Sequence, residues 1–290
     1  MRKSKIILVA ILAMLAVSGC KENKKIEEVT TMNENEKKTE TKKVVNEELI
    51  IKENGKEIYG KLYMPEEEGT YPAVILSHGY NGSHTDFTTE CQYFASHGFI
   101  AYAYDFSGGS TRSKSSGETT DMSIFTEKED LLTVLNYFKN MEKVDKERIY
   151  LFGGSQGGLV TTLATEESKE SVRGMILYYP ALNIPDDWRG NYATEEEIPE
   201  TVDFWGLKLG KKFFVDMRDF YTFDNIGTFT GDILIIHGDK DAIVPLSISE
   251  RAVDLYENAE LVVLPGEGHG YSPAGAKTAR ELALEFMQKH

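Results

Sequence analysis

The chain has 290 residues, of which 41% are hydrophobic and 27% charged, and its formal net charge is −15. This length can bury the core of one α/β domain or of two small domains. The excess of acidic side chains argues against a nucleic-acid binder, which needs a basic face, and two cysteines are too few for a disulfide framework or a cysteine-rich zinc site.

The N-terminal segment has the features of an export signal. Basic residues at positions 2, 3 and 5 precede an unbroken apolar run over residues 6–17, which is shorter than the roughly 20 residues of a membrane-spanning helix. Val17-Ser18-Gly19-Cys20 follows and resembles the lipobox of bacterial lipoproteins, whose cysteine is acylated and becomes the new N-terminus. We therefore predict a signal peptide over residues 1–19, lipidation at Cys20, and a membrane-anchored protein outside the cytoplasm.

Residues 20–46 are predicted to be the lipidated cysteine and a flexible tether. The stretch consists mainly of Lys, Glu, Asn and Thr and has no aromatic residue, so it cannot bury enough apolar surface to offset its ordering entropy. Both charge signs are mixed along it. The lipid on Cys20, rather than an electrostatic patch, is therefore the expected contact with the membrane.

Strand and helix patterns alternate over residues 47–290, the predicted catalytic domain. Strands are predicted at 49–51, 57–64, 73–77, 99–104, 148–152, 172–179, 233–236 and 261–264. Helices are predicted at 85–97, 125–138, 157–168, 248–257 and 275–288. Apolar strands that alternate with helices indicate an α/β fold with a doubly wound, mostly parallel sheet, and Asn54-Gly55 predicts a hairpin turn between the first two strands.

Two segments depart from this alternation. Residues 107–123 are rich in Ser, Gly and Thr and are predicted to form a loop. Residues 182–230 follow the sixth strand and are predicted to form an inserted cap. We expect two or three aromatic side chains of this cap to contact substrate and the others to pack it onto the domain; the candidates are Trp188, Tyr192, Phe204, Trp205, Phe213, Phe214, Phe220, Tyr221 and Phe223.

The sequence GGSQGG at 153–158 lies between a predicted strand and a predicted helix. G-x-S-x-G in this context is the pattern of a nucleophile elbow, a tight turn that holds the serine in a strained conformation. The flanking glycines let neighbouring backbones approach closely, and the hydroxyl lies at a helix N-terminus, where developing negative charge is favoured. Ser155 is therefore the candidate nucleophile.

The candidate base is a histidine near the end of the chain. On a fold of this kind the catalytic residues follow the order serine, acid, histidine, which leaves only His269 and the C-terminal His290. His269 lies in a glycine-rich loop after the last predicted strand, where ligand sites gather in open α/β sheets. We therefore predict His269 as the base.

Two aspartates compete for the role of the acid. Asp239 and Asp241 both follow the predicted strand 233–236, and residues 186–187, after the preceding strand, are a remote third option.

Backbone N–H groups are the expected oxyanion donors. One belongs to Gln156, directly after the candidate nucleophile, and the other lies in the loop after strand 73–77, where Tyr80 is the candidate. His78 in this loop is predicted to order the backbone rather than to transfer protons.

Five motifs together carry a resemblance to the α/β-hydrolases: HGYNGS (78–83), YDFSGGS (104–110), GGSQGG (153–158), HGDKDAIVP (237–245) and GEGHG (266–270). Within that superfamily the chain, from about residue 48 onward, resembles bacterial cinnamoyl (feruloyl) esterases and related small carboxylesterases. The resemblance implies the α/β-hydrolase fold, Ser155, Asp241 and His269 as a catalytic triad, and Tyr80 and Gln156 as oxyanion donors.

The chain departs from those esterases at two places. Gly154 stands where many relatives have histidine, and residues 186–191 match only loosely the stretch with which those esterases hold a phenolic ring. A serine nucleophile also disfavours a dienelactone hydrolase, which uses cysteine, and a dehalogenase, which uses aspartate.

The resulting prediction is a serine carboxylesterase that hydrolyses small esters through an acyl-enzyme, with hydroxycinnamoyl esters among its candidate substrates. Serine chemistry needs no cofactor, and no metal-ligand cluster is visible in the sequence. Two alternatives stay open: a serine peptidase or amidase, which the same triad would support, and a catalytically inactive, lipid-anchored binding protein.

Overall fold

The protein is known from a computed structural model, which describes residues 5–8 and 41–290. Cys20, together with most of the predicted signal peptide and tether, lies outside these residues. The strands are β1 (Lys5–Leu8), β2 (Val44–Glu53), β3 (Lys56–Pro65), β4 (Tyr71–Ser77), β5 (Ile100–Tyr104), β6 (Val144–Gly154), β7 (Gly174–Tyr178), β8 (Thr201–Phe204), β9 (Leu207–Gly210), β10 (Asp232–Gly238) and β11 (Ala259–Leu264). The helices are α1 (Thr88–Ser96), α2 (Ile124–Asn140), α3 (Gln156–Glu167), α4 (Ile184–Trp188), α5 (Lys211–Arg218), α6 (Leu246–Leu255) and α7 (Pro273–Lys289).

One mixed sheet organises the domain, with the strand order β1-β11-β10-β7-β6-β4-β5-β3-β2. β3 pairs antiparallel with both of its neighbours, β2 and β5, and every other described pair in the sheet is parallel. The predicted α/β-hydrolase fold with a mostly parallel sheet is confirmed.

The sheet is covered by helices on both faces. Within β4, Ile75 packs in the hydrophobic cluster that α2 and α3 share, whereas Val74 and Leu76 pack in the cluster formed with α1 and α7. Strands enclosed in this way are apolar at every position rather than at alternate ones, as β5 and β7 are. This double burial explains why the central strands are visible in the sequence as continuous apolar runs.

The first strand of the domain begins earlier than the sequence predicts. β2 starts at Val44, which lies opposite Pro65 of β3, and Asn46 lies opposite Tyr63. β2 therefore starts three residues before the predicted domain boundary at residue 47. Val44, Val45 and Asn46 directly follow Lys42 and Lys43, and at this edge of the sheet they are half-buried or exposed, so composition did not separate them from the tether.

The chain between β7 and β10 forms the segment predicted as a cap, which we call the cap hereafter. It contains α4, the two-stranded β8–β9 hairpin and α5. Aromatic rings from different elements of the cap pack against one another. The ring centroid of Trp188 lies 4.9 Å from that of Phe204 and 5.0 Å from that of Phe214. The interpretation that most cap aromatics serve packing agrees with this arrangement.

No helix in the described part of the chain is both long enough and apolar enough to cross a bilayer.

Candidate active site

Ser155 occupies a sharp turn between β6 and α3. Its backbone has φ 53° and ψ −121°, a left-handed conformation that is costly for a residue with a side chain and that clusters at functional sites. Two backbone hydrogen bonds hold the turn: the Ser155 N–H donates to the Tyr178 carbonyl at 3.0 Å, and its own carbonyl accepts from the Ala181 N–H at 3.0 Å. Hydrogen bonds to residues at and just after the end of β7 therefore hold the Ser155 backbone in this conformation.

Two glycines make this turn possible. A Cβ atom on Gly153 would lie 2.2 Å from the Gly157 carbonyl oxygen, and one on Gly157 would lie 2.3 Å from the carbonyl oxygens of Ser77 and His78. No side chain fits at such distances. The glycines thus allow α3 to start directly against the end of β4.

Ser155, Asp241 and His269 meet at the carboxyl ends of β6, β10 and β11. The Ser155 Oγ lies 3.0 Å from His269 Nε2, and His269 Nδ1 lies 2.7 Å from Asp241 Oδ2. The Asp241 side chain is fully buried. The other candidate base, His290, instead pairs with Asp232 at 3.0 Å.

The surroundings of Asp241 favour its ionised form. Burial alone would raise the pKa of this carboxyl group, but hydrogen bonds from the Val244 N–H at 2.9 Å, from His269 and from the Ile243 N–H at 2.8 Å outweigh it, and the pKa is lowered. An ionised carboxylate accepts a hydrogen bond from the imidazole and fixes its tautomer.

A second histidine, His237, also faces this carboxylate. Its Nε2 lies 3.0 Å from the Val244 carbonyl oxygen and 3.2 Å from Asp241 Oδ2. Because both neighbours are acceptors, Nε2 carries the proton, and Nδ1 accepts from the Ser249 hydroxyl at 2.7 Å. Burial lowers the pKa of His237, which keeps it neutral.

The other candidate acids lie away from His269. Asp239 accepts a hydrogen bond from the Gly266 N–H at 2.6 Å, so it ties the loop after β10 to the loop after β11. Asp186 forms an ion pair with Arg189 at 2.7 Å. Of the two aspartates that the sequence left in competition, Asp241 is the one that contacts His269.

The predicted oxyanion donors lie beside the serine. Gln156 is the first residue of α3, and the N–H groups of a helix's first turn have no acceptor within the helix. The loop after β4 runs against Ser155, since a Cβ on Gly79 would lie 3.2 Å from the serine Cβ. Tyr80, Ser155 and Gln156 line one cavity.

His78 orders the loop that carries Tyr80, as the sequence predicts. Its Nε2 accepts from the Phe106 N–H at 3.2 Å, which leaves the proton on Nδ1 to be donated to the Gly79 carbonyl at 2.7 Å. The ring is buried and burial lowers its pKa, so it holds the loop as a neutral side chain.

A cavity of about 420 Å³ lies between this site and the cap. Its wall includes four of the predicted cap aromatics, namely Trp188, Phe204, Trp205 and Phe213. Polar groups come from Asn183, Asp187 and Asn191, and Ile243 also lines the cavity. Asp187 Oδ2 accepts from Asn183 Nδ2 at 2.6 Å, so the apolar wall contains one hydrogen-bonded polar pair.

The sequence is similar to a known family over most of its length. The sequence profile of the prolyl oligopeptidase family matches residues 85–290. The chain belongs to the prolyl oligopeptidase family. A second profile, that of platelet-activating factor acetylhydrolase isoform II, matches residues 26–119. The uncharacterized peptidase YtmA of Bacillus subtilis is 24% identical over 240 residues, which cover 81% of this chain and 89% of YtmA.

Solved structures of α/β hydrolases share the fold. Est1E of Butyrivibrio proteoclasticus, solved with ferulic acid bound, is 28% identical with a TM-score of 0.74 and covers 83% of this chain and 98% of its own. An acetyl xylan esterase from Paenibacillus sp. R4 is 18% identical with a TM-score of 0.66 and covers 89% of this chain and 87% of its own. The protein is thus an esterase-like α/β hydrolase.

Sequence reasoning missed several residues that shape this site. His237 contacts both Asp241 and Ser249. The ring centroid of Tyr179 lies 4.5 Å from that of His269. Glu127 accepts a hydrogen bond from the Gln156 side chain at 2.8 Å. The only sequence signal was the position of His237 in the same motif as Asp241.

Among the residues described, no group of three or more His, Cys, Asp or Glu side chains is arranged to hold a metal ion.

Proposed function

We propose that the protein is a serine carboxylesterase that hydrolyses small esters through an acyl-enzyme. The observation that carries this proposal is the continuous hydrogen-bonded path from Asp241 through His269 to the Ser155 hydroxyl, which opens into an aromatic cavity. The path has the geometry in which a base can take the proton of a nucleophile.

In the proposed mechanism, His269 Nε2 takes the Ser155 proton as Oγ attacks the ester carbonyl. Asp241 stabilises the resulting imidazolium, and the backbone N–H groups of Tyr80 and Gln156 stabilise the oxyanion, each by about 3 kcal/mol. The protonated His269 then gives its proton to the leaving alcohol. Water, activated by the same imidazole, hydrolyses the acyl-enzyme and releases Ser155.

Hydroxycinnamoyl esters are the substrates that we propose to test first. A flat aromatic acyl group suits a cavity whose wall includes Trp188 and Phe213. Support also comes from Est1E, which is 28% identical and was solved with ferulic acid bound.

The test of the proposed chemistry is Ser155→Ala in the purified protein. We expect turnover of p-nitrophenyl acetate and labelling by a fluorophosphonate probe to be abolished, because the attacking oxygen is removed. The exposed Ser247 on α6 provides the matched control, and Ser247→Ala should behave as the wild type. Full activity of Ser155→Ala would refute the assignment.

Peptide-bond hydrolysis is the second candidate function, favoured by the prolyl oligopeptidase family match and by YtmA. The same triad cleaves amides as well as esters. Comparing peptidyl-proline p-nitroanilides with methyl ferulate and p-nitrophenyl acetate, each at matched enzyme concentration, distinguishes the two. A higher kcat/KM for the peptide substrates would make the protein a peptidase.

We also propose that the protein is a lipoprotein of the bacterial cell envelope, anchored through Cys20. Cleavage before this cysteine would remove β1 and leave β11 as the edge strand of the sheet. Expression of the full chain with radiolabelled palmitate, followed by detergent phase partition, tests the anchor. Cys20→Ala should lose both the label and partition into the detergent phase.

A further inference from the structure

A buried acid, Glu127, contacts Gln156, one of the proposed oxyanion donors, and has no role in the mechanism above. It belongs to the first turn of α2, and only 1% of its surface is exposed. Its Oε2 accepts a hydrogen bond from Gln156 Nε2 at 2.8 Å. On its other side a Cβ on Gly109 would lie 3.1 Å from Oε1, so the loop after β5 encloses the carboxyl group.

Gln156 connects this acid to the reacting centre. Its backbone N–H is the proposed oxyanion donor next to Ser155, and its side chain, with 2% of the residue exposed, points into the core toward α2. A buried amide without a partner would be costly, so the hydrogen bond fixes the side chain. Because Gln156 starts α3, the bond also ties the helix's first turn to α2.

We infer that Glu127 is a positioning residue of the oxyanion hole, which acts by holding the Gln156 side chain and thereby the direction of the Gln156 backbone N–H. This inference rests on the proposed serine-hydrolase function. It assigns to Glu127 an effect on transition-state stabilisation, because a displaced donor weakens binding of the oxyanion more than binding of the substrate.

The charge of Glu127 adds a second effect. Burial raises its pKa to about 8, the hydrogen bond from Gln156 opposes that rise, and the nearby Asp130 adds to it. The hydroxyls of Tyr104, on β5, and Tyr80, on the loop after β4, also interact with it electrostatically. Lys56, the cation in this cluster, pairs with Asp130 at 3.2 Å, and none of the groups that act on Glu127 supplies a positive charge. With this raised pKa we expect Glu127 to be mostly protonated at pH 7 and to become a buried anion at alkaline pH.

A negative charge on Glu127, next to Gln156, would repel the negative charge that develops on the substrate oxygen in the transition state. Because like charges repel across a poorly polarisable interior, we expect this anion to lower kcat, by about tenfold. The wild-type protein should therefore lose activity as the pH rises through about 8. The cause would be ionisation of Glu127, not a change in Ser155, Asp241 or His269.

The test is the pH dependence of kcat for p-nitrophenyl acetate between pH 6 and 10, corrected for spontaneous hydrolysis. Glu127→Gln keeps the shape and the acceptor oxygen but cannot ionise, so the ratio of its kcat at pH 9.5 to that at pH 6.5 should exceed the wild-type ratio about tenfold. The exposed Glu129 on the same helix gives the matched control, and Glu129→Gln should keep the wild-type profile.

Glu127→Ala tests the positioning itself. Without an acceptor for Gln156, kcat at pH 6.5, where wild-type Glu127 carries no charge, should fall at least tenfold, while KM changes less than threefold. If this variant does not fold, the Glu127→Gln profile alone decides. Identical alkaline profiles for the wild type and Glu127→Gln, or a wild-type kcat in Glu127→Ala, would overturn the inference. Activity remaining in Ser155→Ala would instead refute the serine mechanism, so the two failures are distinguishable.

Discussion

The hydroxyl of Tyr80 donates a hydrogen bond to the backbone carbonyl of Phe204 at 2.7 Å. Tyr80 lies in the loop after β4 and Phe204 ends β8 of the cap. The Tyr80 ring also lies against the rings of Phe204 and Trp205, with centroids 5.5 and 6.4 Å apart. The residue proposed to supply a backbone oxyanion donor therefore also holds the cap hairpin over the cavity.

Tyr80→Phe should weaken this link between cap and loop while keeping the ring. One hydrogen bond is worth about 0.5–1.5 kcal/mol net, so KM for methyl ferulate should rise about two- to tenfold. The rise for p-nitrophenyl acetate should be smaller, because a short acyl group contacts less of the cap. Steady-state kinetics with both esters measures the difference, and Tyr137→Phe, at an exposed position on α2, is the control. Equal changes for the two esters would contradict the link.

The two aspartates after β10 should respond differently to loss of charge. Asp241→Asn removes the anion that stabilises the His269 imidazolium and permits the wrong tautomer, so kcat should fall by roughly 10³–10⁴. Asp239→Asn keeps an acceptor oxygen for the Gly266 N–H but loses its charge, so kcat should stay within about threefold and stability should fall by about 1 kcal/mol at most. Active-site titration and urea unfolding of both variants check this pair, and equal losses of kcat would refute the assignment of Asp241.

The residues that the sequence could identify are those whose role is set by local context. Ser155 is recognisable because strand, glycine-rich turn and helix are contiguous, and His269 because a glycine-rich loop follows the last strand. Asp239 and Asp241 could not be separated by the residues alone. Both follow the same strand, and only the direction of their side chains in the folded loop distinguishes them.

Contacts between distant parts of the chain were beyond sequence patterns. Glu127 meets Gln156 across 29 positions and a helix–helix interface, and in the sequence it is one of three acidic residues in α2. Tyr80 meets Phe204 across 124 positions. Such partners are fixed by packing of the completed fold, and for the same reason the pairing of Val44 and Val45 with β3 could not be predicted from the sequence.

Stability should depend on pH through Glu127, independently of activity. Its pKa is about 8 in the folded protein against 4.5 for the free side chain. Between these values the folded state keeps a proton that the unfolded state has lost, so stability contributed by this group falls as the pH rises and levels off above about 8. The slope for one such group is about 1.4 kcal/mol per pH unit.

Glu127→Gln removes this dependence, because an amide does not titrate. The free energy of unfolding of Glu127→Gln minus that of the wild type should increase steadily from pH 5 to pH 8. Urea unfolding at half-unit pH steps measures the difference, in which the titration of His78 and His237 cancels because both proteins contain them. A difference independent of pH would show that Glu127 is ionised in the folded protein throughout this range.

Replacing Gly157 by alanine should destabilise the protein although the residue lies in a helix. Helix propensity alone favours alanine over glycine by about 1 kcal/mol, but the added Cβ would lie 2.3 Å from the carbonyl oxygens of Ser77 and His78. These are backbone atoms at the end of β4 and cannot rotate away. We expect a loss of about 3 kcal/mol and a lower kcat, since the shifted loop carries Tyr80.

Gly190→Ala, where nothing lies within 4 Å of the new Cβ, should be neutral or stabilising by up to about 1 kcal/mol. Thermal unfolding of the two variants compares the effects, and a Gly157→Ala protein as stable as the wild type would mean that α3 does not start against β4 as described.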